Sequence, residues 1–151
     1  MYPAPTKRAF PVTPGDVISA SVSYANGEFN ATITDVTAGK TKTIITKASG
    51  QLRASAEWIM ERPAGCDPFP TNCFLYKLAD FTKTTMSESV AQVQGSPAQG
   101  LSTFKNISQI FMIQPDSKGF YTLEITGNVH TADNSFPVTW TRYGKVVPIT
   151  L

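Results

Sequence analysis

The chain has 151 residues, 41% of them hydrophobic and 16% charged, which is enough for one folded domain with a core and too apolar for disorder. Its 13 Lys and Arg against 11 Asp and Glu leave a net charge of +2. The basic residues are scattered, with no run beyond Lys7-Arg8, so nothing marks a nucleic-acid surface. No apolar stretch approaches the roughly 18 residues of a membrane-spanning helix, and Met1-Tyr2-Pro3-Ala4-Pro5 has none of the pattern of a secretory leader.

The pattern is strand after strand. Ile18, Ala20, Val22 and Tyr24 alternate with Ser19, Ser21 and Ser23, a period of two that predicts a half-buried strand. Asn26-Gly27 follows, the preferred chemistry of a tight hairpin turn. Phe29, Ala31 and Ile33 then alternate with Asn30, Thr32 and Thr34. A turn at Thr37-Ala38-Gly39 leads into a β-branched run over 41–46. After Gly50 comes a strand centred on Glu57. Further strands are predicted over 81–85, 107–113, 120–126, 136–143 and 146–150, with Gly and Pro between them at short spacing. Met86, Val90 and Val93 have helical spacing, so 86–94 reads either as one short helical turn or as a strand. Residues 95–100 are polar and read as a surface loop. The sum is an all-β chain, an antiparallel two-sheet β-sandwich.

The chemistry narrows by elimination. A Ser-His-Asp triad would need His130, and no nucleophile elbow accompanies any serine. No phosphate loop or dinucleotide fingerprint occurs. Two cysteines and one histidine do not supply a recognisable zinc site, so no metal and no cofactor are expected. Carboxylates remain. In the stretch Ala54-Ser55-Ala56-Glu57-Trp58-Ile59-Met60-Glu61, alternate side chains share a face. Ser55, Glu57, Ile59 and Glu61 point one way, and Ala54, Ala56, Trp58 and Met60 the other. Two carboxylates on one face can do acid–base work. They can equally be a solvated strand face, and spacing alone does not separate the two.

The same residues carry a resemblance. Ala56-Glu57-Trp58-Ile59-Met60-Glu61 resembles the A-E-W-I-V-E strand of the glutamic peptidases, or eqolisins. Met1-Tyr2-Pro3-Ala4-Pro5 is similar to the end of that family's W-Y-E-x-Y-P segment. Pro14-Gly15-Asp16-Val17-Ile18-Ser19-Ala20-Ser21-Val22 is similar to its next strand, and Ile33-Thr34-Asp35-Val36-Thr37-Ala38-Gly39-Lys40 to its next turn. Leu78-Ala79-Asp80-Phe81 stands where the family has A-D-F, and Ser135-Phe136-Pro137-Val138-Thr139-Trp140 resembles the closing S-F-x-V-x-W strand. The ordered set runs through nearly the whole chain.

The resemblance implies a lectin-like (jelly-roll) sandwich whose concave sheet forms a cleft for a polypeptide substrate. It implies a secreted acid endopeptidase, with Glu57 as the general base that activates water. Glu61 and Tyr2 become candidate substrate-binding residues. The family's partner glutamine lies before the W-Y-E-x-Y-P segment, and Gln51 does not match it. One domain over 1–151, incomplete at its N-terminus, is therefore expected. These residues alone are expected to be inactive, and the full-length protein to be a monomer. In a secreted protein Cys66 and Cys73, bracketing a short Pro-rich loop, read most simply as a local disulfide, with two reduced thiols as the alternative. The sequons at Asn30 and Asn106 would then be glycan acceptors. Asp80 reads as a cleft hydrogen-bonder or as a turn residue. The competing reading is a non-catalytic β-sandwich module that binds carbohydrate or protein.

Overall fold

The computed structural model describes residues 10–47, 50, 52–66 and 72–149. Its contacts divide into two compact units, Met1–Ala54 and Ser55–Leu151. Every sheet in both is antiparallel.

The first unit is a three-stranded meander: β1 (Ile18–Ala25), β2 (Glu28–Asp35) and β3 (Lys40–Lys47) in spatial order β1-β2-β3. Asn26 and Gly27 form the first turn with φ of +53° and +81°, the pair of positive values that a two-residue hairpin matched to strand twist requires. The register then runs without interruption from Ala25 opposite Glu28 to Ile18 opposite Asp35. Tyr24 and Phe29 meet across it with ring centroids 4.8 Å apart. The second turn is fixed by Asp35, 1% exposed, whose Oδ1 accepts the Ala38 N–H at 2.8 Å. Pairing places Ala20, Val22, Ile33 and Ile44 on one face, and with Phe10 they line a shallow apolar trough. The other face is hydroxylic. Thr32 and Thr43 share a hydrogen bond of 2.9 Å there, and Thr34 and Thr41 one of 3.0 Å. No residue of β1 is buried.

The second unit holds the packed core. β4 (Ala64–Cys66) and β5 (Cys73–Leu75) pair, and β12 (Val147–Ile149) adds to β5, giving the order β12-β5-β4. A disulfide joins Cys66 to Cys73 across a separation of 7 residues. The larger sheet has the order β6-β11-β10-β9, from β6 (Lys83–Met86), β11 (Phe136–Trp140), β10 (Gly119–Thr126) and β9 (Met112–Asp116). A small ladder of β7 (Val90–Ala91) and β8 (Gln99–Gly100) leads into a single 3-10 turn, Leu101–Thr103. Among the described residues of this unit, Leu123, Val138, Phe136, Leu78 and Cys73 are the buried apolar ones.

Local geometry explains where strand positions depart from the periodicity. Residues 107–111 are not strand. The Asp116–Gly119 turn sets the β9–β10 register, which runs out at Met112 opposite Glu124, and the Thr126 hydroxyl instead donates to the Ile110 carbonyl at 2.7 Å. β9 therefore carries Pro115, which an edge strand tolerates. Strand β6 starts at Lys83 because Thr82 has φ +53° and gives its N–H to Asp80 Oδ1 at 2.8 Å. Asp80 is thus a turn residue. β11 ends at Trp140, since the next two N–H groups turn back to the Leu123 carbonyl. In 86–94 the short strand forms and the helical turn does not.

The strand expected around Glu57 is the main correction. Residues 52–63 make no ladder with any described strand. Arg53, at φ +51°, breaks the extended path at its start, and the end is tied down by side-chain bonds of Arg62 and by a single backbone bond, the Tyr76 N–H to the Pro63 carbonyl at 2.8 Å.

Candidate active site

Burial along the Glu57 segment alternates. Trp58, Met60 and Arg62 are half-buried, while Glu57, Ile59 and Glu61 are exposed. The period of two survives without a ladder, and it turns both carboxylates to the open side. The Ser55 hydroxyl donates to Glu57 Oε1 at 3.2 Å, which steadies one carboxylate oxygen. Glu61 lies on the same side two steps of the alternation further on. Tyr2 lies outside the described residues.

What holds this segment is a network with no motif in the sequence. Arg62 donates through Nε to the Tyr76 carbonyl and through Nη2 to the Lys145 carbonyl. Its Nη1 reaches Gln114 Oε1 at 3.3 Å. Gln114 is 4% exposed, and the same oxygen accepts the Tyr121 hydroxyl at 2.9 Å and the Lys145 N–H at 2.8 Å. Its amide nitrogen donates to the Lys145 carbonyl at 3.3 Å. Arg142 lies 5.1 Å over the Tyr121 ring. A half-buried guanidinium bound to a buried amide is costly to disrupt, because a lost partner leaves the Gln114 amide desolvated and unpaired. It fixes the chain immediately after Glu61 against β5, β9 and the segment before β12. Periodicity could not have revealed it, since Arg62 and Gln114 are 52 residues apart.

Other candidates fall into structural roles. His130 forms an isolated bridge with Ser135 at a hairpin tip. Hydrogen bonds from Ser135, from its side chain first and then its backbone, hold the Asp133 carboxyl below the usual carboxylate range. Asn134 Oδ1 accepts from the Ser102 N–H and hydroxyl at 3.1 and 2.7 Å, stitching this tip to the 3-10 turn. Among the described residues no group of three or more His, Cys, Asp or Glu side chains could hold a metal ion. Among them, too, no helix is long and apolar enough to cross a membrane. Asn30 is half-buried on β2 and Asn106 is exposed.

Comparison with curated proteins yields no significant sequence match. Among solved structures, the chain is similar to aspergilloglutamic peptidase from Aspergillus niger, with a TM-score of 0.62 and 24% sequence identity over 87% of this chain and 70% of that one. The likeness establishes a shared fold, the antiparallel β-sandwich of that peptidase. The model of the Peptidase A4 family matches residues 1–135. With nearly all of its length accounted for by that match, the chain belongs to the Peptidase A4 family.

Proposed function

We propose that the chain is the Glu57-bearing part of a secreted acid endopeptidase of the glutamic type. The observation that carries this reading is the outward turn of Glu57 from a segment whose alternate residues, Trp58, Met60 and Arg62, are directed inward. Glu57 takes a proton from a water molecule, and the water oxygen bonds to the carbonyl carbon of the scissile amide. The carbonyl electron pair moves to its oxygen, where the family's glutamine amide donates a hydrogen bond. The C–N bond then breaks as Glu57 returns its proton to the leaving amine. A carboxylate base still works in mild acid, where a histidine base is already protonated. Glu61, and Tyr2 upstream, would contact the polypeptide on either side of the bond. The disulfide fits an oxidising, extracellular setting, in which Asn30 and Asn106 are open to glycosylation. The full-length enzyme would act as a monomer without a cofactor.

On this reading none of the 151 residues stands at the position of the family's partner glutamine. Loss of one oxyanion donor costs about 100–1000-fold in rate, so these residues alone are proposed to be inactive. The test is cleavage of a denatured protein between about pH 2 and 5. The 151-residue chain should give none above background, and a chimera with the family's glutamine-bearing segment fused ahead of residue 1 should cleave. A chimera that folds, binds denatured protein and never cleaves it would favour the binding-module reading instead.

A further inference from the structure

Glu124 sits where a charge receives little help. A bulge in β10 shifts the register between Thr122 and Glu124. It brings Leu123 and Glu124 into the packed interior together, at 0% and 4% exposure. The residues directly opposite Glu124 are Trp140 on β11 and Met112 on β9. Neither can neutralise a carboxylate. Glu124 Oε2 is buried with no hydrogen-bond partner, and so is the indole Nε1 of Trp140.

Four titratable side chains on the surrounding elements, Tyr121, Arg142, Tyr143 and Arg62, are engaged with partners other than Glu124. Tyr121 donates to Gln114 and carries Arg142 over its ring. Tyr143 stands edge-on to Trp140, with centroids 4.9 Å apart. Arg62 binds Gln114 and the Tyr76 and Lys145 carbonyls, and the Lys145 backbone closes on Gln114. Burial alone pushes the Glu124 carboxyl above its ordinary value, and no neighbouring charge contributes. An ionised carboxylate here gives up water at its buried Oε2 without gaining a counter-charge, whereas a protonated one is a neutral group that loses less.

We propose that Glu124 is a proton-dependent latch: the four-stranded sheet of the second unit closes on a neutral carboxyl and loosens when that carboxyl ionises. The inference stands apart from the peptidase reading, because Glu124 takes no part in the proposed chemistry. The direction follows from linkage. A folded-state value raised above the ordinary 4.5 means that the folded protein keeps a proton the unfolded chain has already released. The stabilisation is complete below the unfolded value and fades as pH rises through the folded one. Asp133, held low by Ser135, works the opposite way, with its contribution lost as pH falls. A single-residue comparison is therefore needed to isolate the latch.

The experiment is urea unfolding of the whole chain at a series of pH values from about 4 to 7, wild type against Glu124→Gln. Tryptophan emission reports the right unit, since Trp58 and Trp140 are the chain's 2 tryptophans and both lie in it. The ratio of the wild-type unfolding constant to that of Glu124→Gln should grow with pH, by up to about tenfold per pH unit while the proton is being lost. Parallel curves overturn the proposal. If Glu124→Gln does not fold, carboxyl-carbon NMR titration of the wild type decides. A Glu124 midpoint above 4.5 upholds the latch, and one at or below it removes it.

Discussion

The meander of the first unit and the four-stranded sheet of the second are built by the same antiparallel pairing and stabilised in different ways. β1 and β2 pair in register over their full length, yet every residue of β1 is exposed. β10 and β11 pair over only three positions, Glu124 to Thr126, yet Leu123 beside that ladder and Val138 within it are almost inaccessible. Regular hydrogen bonding and a packed core are therefore separable properties. The meander owes its shape to turn chemistry and the second unit owes its stability to burial. Backbone hydrogen bonds contribute little net free energy, because the unfolded chain makes them with water, while buried apolar area contributes about 25 cal/mol per Å².

The largest expected effect tests that contrast directly. Leu123→Ala removes a side chain that is 0% exposed and should cost about 2–5 kcal/mol in urea unfolding. Val22→Ala, at a position 71% exposed in the regular β1–β2 hairpin, should change stability by less than about 0.5 kcal/mol. Equal losses at the two sites would mean that the meander contributes to the core as much as β10 does.

Next in size is the disulfide. It closes a loop with a sequence separation of 7, for which the chain-entropy account gives about 2–3 kcal/mol. The double variant Cys66→Ser with Cys73→Ser should lower the unfolding midpoint of the second unit accordingly. A midpoint unmoved by the substitution would show that β4 and β5 are held by their strand pairing and by Arg62 without the bridge. The smallest effect belongs to the hydroxylic face of the meander. Thr32→Val breaks the 2.9 Å bond to Thr43 but keeps a β-branched side chain, so a loss under about 1 kcal/mol is expected in the same assay.

The meander was legible in the sequence because everything that shapes it is local. Strict alternation over β1 and β2, Asn26-Gly27 at the turn and the β-branched run of β3 fix three strands within a residue or two. The second unit was less legible because its determinants are distant. The β9–β10 register is set by a turn and a bulge rather than by the apolar run that precedes Met112. Arg62, Gln114 and Lys145 meet from separate parts of the chain. The disulfide-linked hairpin of β4 and β5 had no periodic signal, since each strand is three residues long. Within the candidate site, the facing of Glu57 and Glu61 was readable from period two alone. The absence of a ladder beside them was not, because pairing depends on a neighbour that periodicity does not name.

The central claim is that the exposed carboxylate of Glu57 is the group that activates water. The measurement that tests it most directly is cleavage of a denatured protein at about pH 3–4 by the glutamine-bearing chimera, with and without Glu57→Gln. The substitution keeps the size and hydrogen-bonding reach of the side chain and removes only its basicity. The account predicts that cleavage disappears, with the thermal midpoint and far-ultraviolet spectrum unchanged. Cleavage at an undiminished rate in a correctly folded Glu57→Gln chimera would contradict it.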